Sequence, residues 1–530
     1  MTLTRSTAMG LNGAVATPHY LASAAGLRVL QDGGNALDAC VAACAVLGVV
    51  LPQQCGVGGD LFTIIYPRGG SAPIVLNASG RAGSRGTPEF VRAAGHTQIP
   101  DKGPLSVATP GCVHGWSTAL QRFGTRELGA LLQPAVGFAE SGFPLSARLA
   151  RAIRSQLAEL NQAARDTFAP GGATPAPGDV LRNPALASTL RQVAAHGPRV
   201  MYDGPVGQAI GRFLESIGGH HTPDDIAAHS SEWVEPVAVD FNGYRACAVP
   251  PNSQALLHIM GLAVLDTLDL GQPLGARAVH LQLEAMKWAF RDRHLIADPS
   301  FVDVPVARLT SREHAAEGRA QLRPDRATAP AAGVGAGDTV YLCAADRDGN
   351  AVSMIQSLRQ AWGSGLMVPE IGVMLNDRAR DFGMDDGDPN QIAPSKRPRH
   401  TLSPAMALKD GKPAFVYGTR GGDSQPFTML QLGYNLMGFG MEPQEAVDAP
   451  RWSVEPAGAG PADGRLSMEA RFPETSRSAL EAMGHHTEWL EDFDDRMNGC
   501  GTASVIQIDG ERGVFLAGAD PRGDGVALAL

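Results

Sequence analysis

The junction Gly337-Asp338-Thr339 puts a hydroxyl residue at the head of the apolar run Thr339-Val340-Tyr341-Leu342-Cys343-Ala344-Ala345, directly after a strip made almost wholly of Ala, Gly, Pro, Thr and Val. One chemical reason for so abrupt a change is self-cleavage. A threonine hydroxyl attacks the carbonyl before it, water hydrolyses the resulting ester, and the new N-terminal Thr carries both nucleophile and base. A free α-amino group has a pKa of about 7.7–8.0, so it accepts a proton near neutral pH where an amide nitrogen does not. The plain alternative is that Thr339 only opens a strand, as a β-branched residue favours. A second candidate is Gly56-Val57-Gly58-Gly59. A dinucleotide loop follows a strand and opens a helix; here the order is reversed, so a close-packed turn is the better reading. No HExxH, no paired-Cys spacing and no His/Cys cluster stands in the sequence, so no metal and no cofactor is expected.

The elements that must hold Thr339 are legible around it. Residues 339–345 and 351–355 flank the turn Asp346-Arg347-Asp348-Gly349-Asn350, a hairpin pattern. Further strand pairs are predicted at 405–408 with 414–417 and at 505–508 with 514–517. Toward the N-terminus, residues 19–31 have helical period and end at Asp32-Gly33-Gly34. Asn35 caps a second helix, 36–51, apolar nearly all round and therefore buried, which Pro52 stops. Residues 61–66 and 74–78 read as another hairpin. Helices are also predicted at 145–164, 252–265, 280–294 and 427–437, and 125–330 is the helix-rich middle. Residues 313–338 are expected to form an exposed, mobile strip. Strands at both ends with helices between predict a layered α/β protein.

The chain has 530 residues, 44 % of them hydrophobic, and 44 basic against 54 acidic residues, a net charge of −10. Such a chain buries a large core and has no basic patch to neutralise phosphates, so a nucleic-acid partner is not expected. Its 63 Gly and 38 Pro are too few for a low-complexity sequence. Seven scattered Cys predict free thiols in a reducing compartment. Neither a secretory h-region nor a run of about 18 apolar residues is present, so a cytoplasmic protein without a membrane partner is expected.

The chain resembles the γ-glutamyltranspeptidase family of N-terminal-nucleophile hydrolases. The resemblance runs through Gly33-Gly34-Asn35-Ala36-Leu37-Asp38-Ala39, Gly56-Val57-Gly58-Gly59, the hairpin from Asp346 to Ser353, Lys396-Arg397-Pro398 with Ser403-Pro404, Gly421-Gly422, and Gln444 to Arg451, all in family order. It implies a four-layer αββα sandwich and a precursor cut between Asp338 and Thr339. Residues 1–338 become a large subunit and 339–530 a small catalytic one; the two remain a single intertwined domain, with a dimer of these left open. Thr339 would be nucleophile and base, Ser357 its hydroxyl partner, and the Gly421 and Gly422 N–H groups the oxyanion donors. Arg81 falls where the family pairs an arginine with the substrate carboxylate.

The sequence departs from that pattern where the family holds the substrate's α-amino group. Arg359 stands for Asn, Arg378 for Gln, and His400-Thr401 for a Ser-Ser pair, while Asp381 is kept. Two fixed cations repel an ammonium, so the expected substrate is a small anionic amide of the oxamate type, hydrolysed through an acyl-Thr339 ester. The alternatives are a true γ-glutamyltransferase or glutathione hydrolase, and a catalytically silent binding homologue. For the individual residues the structural alternatives are ion pairs of Arg359 and Arg378 with Asp377, Asp381 or Asp385, a packed His400, and a simple turn at Gly421-Gly422.

Overall fold

Alternation along one strand, Asp338–Asp346, sets the architecture. Val340, Leu342 and Ala344 pack into a core with the helix Ala36–Val50, whereas Tyr341, Cys343 and Ala345 pack into a second core with other strands. Successive side chains of a strand point to opposite faces, so this strand is covered by helices on one side and by a sheet on the other. The computed structural model describes residues 3–328, 337–454, 465–491 and 500–530.

Two seven-stranded antiparallel sheets face each other. The first runs Val526–Ala529, Gly13–Thr17, Asp338–Asp346, Ala351–Arg359, Asp60–Tyr66, Ile74–Ala78, Glu232–Val234. The second runs Ala8–Gly10, Val514–Ala519, Ala503–Asp509, Lys412–Thr419, Ala405–Lys409, Tyr244–Ala248, Val237–Phe241. Tyr20–Gln31 and Ala36–Val50 cover the first sheet; Leu256–Leu265 and Gln425–Met437 cover the second. This is the expected αββα sandwich. Strands from both before and after residue 338 build each sheet, so the two parts of the chain are interleaved.

The N-terminal helices form as expected. Asn35 accepts from the Asp38 N–H, and the Asp38 carboxylate returns a bond from the Asn35 N–H, a reciprocal cap. Other expectations change. The helix expected at 145–164 is two, Ala147–Gln156 and Gln162–Phe168, because Asn161 caps the second and its side chain also donates to the Met367 carbonyl. The helix expected from residue 252 begins at Leu256, and the one expected at 280–294 is Ala276–Phe290. The strip expected at 313–338 is corrected at both ends. Arg312–Gln321 is a helix capped by Ser311, and Asp338 already belongs to the strand. Residues 329–336 of that strip lie outside the described residues. All seven cysteines are buried and unpaired. Among the described residues, no helix is long and apolar enough to cross a membrane.

Candidate active site

Thr339 sits fully buried, on the face of its strand that looks toward the second sheet. Opposite it the partner strand carries an extra residue: Asp338 pairs with Arg359, yet Val340 pairs with Gln356. Such a bulge re-aims side chains, and here it turns Ser357 toward Thr339. The two hydroxyl oxygens are 3.0 Å apart. Ser357 Oγ also donates to the Asp338 carbonyl at 2.8 Å and accepts the Arg359 N–H at 2.7 Å. A carbonyl oxygen only accepts, so the single Ser357 proton is committed to Asp338 and Thr339 must donate to Ser357. The hydroxyl that would attack and the carbonyl it would attack thus share one bridging group. Arg359 itself holds φ +89°, a left-handed conformation that costs a non-glycine residue about 1–3 kcal/mol.

The Gly421-Gly422 pair lies against the same junction. A Cβ placed on Gly337 would come within 2.8 Å of Gly422 Cα. Gly421 and Gly422 have φ +138° and +59°, a backbone that other residues rarely adopt. Neither N–H has an acceptor among the described residues. Ser424 Oγ donates to the Gly421 carbonyl at 2.6 Å and fixes the turn. The other glycine turn has a packing cause: a Cβ on Gly59 would meet the Ser357 carbonyl oxygen at 2.3 Å. Gly56-Val57-Gly58-Gly59 therefore lets the chain pass close behind the strand that carries Ser357.

Arg359, Arg378, Asp381, His400 and Thr401 do come together, as one buried network. Arg359 grips Asp381 with Nε at 2.8 Å and Nη2 at 2.7 Å, and reaches Asp423 at 3.3 Å. Arg378 binds Asp60 at 3.1 Å, Asp381 at 3.0 Å and Thr401 Oγ1 at 3.0 Å. Both guanidiniums face carboxylates, which corrects the expectation of two cations open to substrate. Asp381 is the partner that the alternative named for both; Asp60 and Asp423 replace Asp377 and Asp385. Burial works against Arg359's charge, but Asp381 and Asp423 outweigh it and hold the guanidinium firmly protonated. Burial likewise opposes the Asp381 charge, and Arg359 and Arg378 hold its pKa well below the usual carboxylate range. His400 is fully buried, with Nε2 at 3.2 Å from Asp60 Oδ2; burial, aided by Arg378, pushes its pKa down to about 4, so the ring is neutral near pH 7. Arg81 does not join this group. Its guanidinium bonds Glu232 at 2.5 Å and the Ser230 carbonyl at 3.2 Å.

Sequence reasoning missed Asp60, Asp423, Arg420 and Lys102. Asp60 and Asp423 directly follow the two glycine turns, which was the available signal. Arg420 Nη1 holds the Asp338 carboxylate at 2.7 Å, and its Nε donates to Thr502 Oγ1. A cavity of about 490 Å³ opens beside the junction, lined by Lys102, Glu159, Asp338, Gln360 and Arg420 among others. Lys102 donates to the Ala361 and Gly363 carbonyls at its edge. Elsewhere the fold gathers His280, Glu284 and His485, a group that residue spacing did not suggest. Their polar atoms are already engaged: His280 with His485, and Glu284 with Lys287 and Thr328.

The family model described as Gamma-glutamyltranspeptidase matches residues 22–530. The chain is 37 % identical to the Glutathione hydrolase-like YwrD proenzyme of Bacillus subtilis, covering 98 % of this chain and 99 % of that one. It is 36 % identical to the Oxamate amidohydrolase proenzyme of Klebsiella pneumoniae, again over 98 % and 99 %. Cephalosporin acylase from Bacillus halodurans has a similar structure, with a TM-score of 0.92 and 35 % identity over 100 % of this chain and 98 % of that one.

Proposed function

The chain belongs to the gamma-glutamyltranspeptidase family and is an N-terminal-nucleophile hydrolase, and from that premise we propose that it cuts itself before Thr339 and then hydrolyses the amide of a small anionic acid. The observation that carries the reading is the relay from Thr339 Oγ through Ser357 Oγ to the Asp338 carbonyl. Thr339 Oγ bonds the Asp338 carbonyl carbon as the C–N bond breaks, and the hydroxyl proton passes to the departing nitrogen. Water then hydrolyses the ester, freeing the Asp338 carboxylate and restoring the Thr339 hydroxyl. In the mature enzyme the α-amine of Thr339 takes the hydroxyl proton and delivers it to the leaving amine or ammonia, and water resolves the acyl-Thr339 ester. On this reading the Gly421 and Gly422 N–H groups receive the oxyanion, a contribution that reaches about 3–4 kcal/mol for one such donor.

The choice of an anionic acyl group without an ammonium rests on Asp381. It is the one acid kept at the family's amino-group site, and both its oxygens are taken by Arg359 and Arg378. A γ-glutamyl ammonium arriving there finds the Asp381 oxygens already engaged by Arg359 and Arg378. Intact mass of freshly purified protein, with ammonia release from oxamate and glutamate release from glutathione, tests the reading. Two chains meeting at 338/339, ammonia from an acid amide and a single uncut chain for Thr339→Ala are expected. Faster turnover of glutathione would overturn the substrate class, and an uncut wild-type chain would overturn the mechanism.

A further inference from the structure

The uncut chain carries an acyl group of its own on the scissile bond, and its surroundings describe what the mature site accepts. During self-cleavage the group transferred to Thr339 Oγ is the Asp338 acyl group. Its reacting carbonyl carbon is followed by Cα, Cβ and then a carboxylate, so it is a substituted succinyl group. That carboxylate is held by Arg420 Nη1 at 2.7 Å, on the wall of the cavity of about 490 Å³ that Lys102 also lines. Burial pushes the Asp338 carboxyl pKa up, and Arg420, with Lys102 behind it, offsets only part of that rise. The acyl-enzyme of turnover is likewise an ester on Thr339 Oγ.

We propose that Asp338 occupies the acyl subsite of the mature enzyme as a built-in substrate mimic, and that once it leaves, Arg420 receives the carboxylate of amides of four-carbon dicarboxylic acids, placed two carbons from the reacting carbonyl. This rests on the amidohydrolase reading above and fixes the chain length of its substrate. The Arg420 guanidinium is anchored through Nε on Thr502 Oγ1, and the Arg420 backbone N–H donates to the Thr502 carbonyl. An acid one carbon shorter or longer differs from Asp338 in the reach from its carbonyl to its carboxylate. The reaction balances as succinamate plus water giving succinate plus ammonia: Thr339 Oγ displaces ammonia from the amide carbon, and water oxygen then displaces Thr339.

The test uses the self-cleaved enzyme and the series oxamate, malonamate, succinamate and glutaramate, reading ammonia release as kcat/KM. Succinamate is expected to lead its neighbours by about ten- to hundredfold, the range of one charge-assisted hydrogen bond. Succinate should inhibit competitively, and Arg420→Lys, which moves the charge, should raise KM for succinamate more than it lowers kcat. If that variant does not mature, the substrate series on the unaltered enzyme decides. A lead for oxamate, malonamate or glutaramate, or no inhibition by succinate, overturns the assignment while leaving the amidohydrolase reading standing. An uncut protein that releases no ammonia from any member overturns both.

Discussion

Replacing Ser357 by Ala removes one oxygen and three bonds: 2.8 Å to the Asp338 carbonyl, 2.7 Å from the Arg359 N–H and 3.0 Å from Thr339. The first touches the oxygen that would become the oxyanion of the proposed self-cleavage. Loss of one such donor costs about 3–4 kcal/mol of transition-state stabilisation, which is a factor of about 10² to 10³ in rate. The second leaves a buried N–H without a partner, at about 1–3 kcal/mol of folding stability. The third frees the Thr339 hydroxyl to rotate. Precursor refolded from denaturant and sampled on denaturing gels gives the cleavage rate, and urea unfolding of the Thr339→Ala background with and without Ser357→Ala gives the stability. Cleavage within a few-fold of the unaltered rate would refute the relay. A stability loss of the expected size with unchanged cleavage would make Ser357 a packing residue only.

Arg378→Met leaves Asp60 buried beside a neutral ring and strips Asp381 of one cation. Breaking one side of a buried pair costs about 3–5 kcal/mol, so the urea midpoint should fall sharply; a midpoint unchanged within error would refute a structural role for this arginine. Gly59→Ala places a methyl 2.3 Å from the Ser357 carbonyl oxygen, so its strand must shift; a stability loss of about 1–3 kcal/mol with slower self-cleavage is expected, and normal values for both would sink the packing account of the glycine turn. Burial pushes His221, His258 and His400 down to about 4 from an unfolded value of 6.5. On acidification the unfolded chain takes up these protons first, so the stability they supply is complete above pH 6.5 and is lost between 6.5 and 4. The loss is at most about 3 kcal/mol for each ring. Urea midpoints at pH 8, 6 and 5 should fall in that order, and a flat profile would refute it.

Local chemistry made much of this readable. The Asn35 cap, the hairpin turn at Asp346 to Asn350 and the change of composition before Thr339 are written in neighbouring residues. The helix Arg312–Gln321 was hidden because its face is charged and only Ser311, its cap, announced it. Asp381 was within reach of a spacing argument, but the arginines' other partners, Asp60 and Asp423, were hidden for a different reason. Asp60 lies 318 residues from Arg378, and Asp423 lies 64 from Arg359, so no spacing rule joins them. Residue types alone identified cations at Arg359 and Arg378; only packing shows that carboxylates answer them. Arg420 and Asp338 are 82 residues apart and meet for the same reason.

Gly13–Thr17 runs between Val526–Ala529 and Asp338–Asp346, and Ala8–Gly10 edges the other sheet beside Val514–Ala519. While the chain is continuous, these neighbours find one another within a single polymer. A cut before Thr339 leaves every one of those ladders intact but turns their assembly into a meeting of two separate molecules. Refolding of the mature form then depends on concentration, whereas refolding of Thr339→Ala does not. The protein would therefore have a memory: its final form is reached through a covalent path that unfolding does not retrace. Heat that opens the mature sandwich would be followed by aggregation or loss rather than recovery, and its working lifetime would be set by the rate of opening.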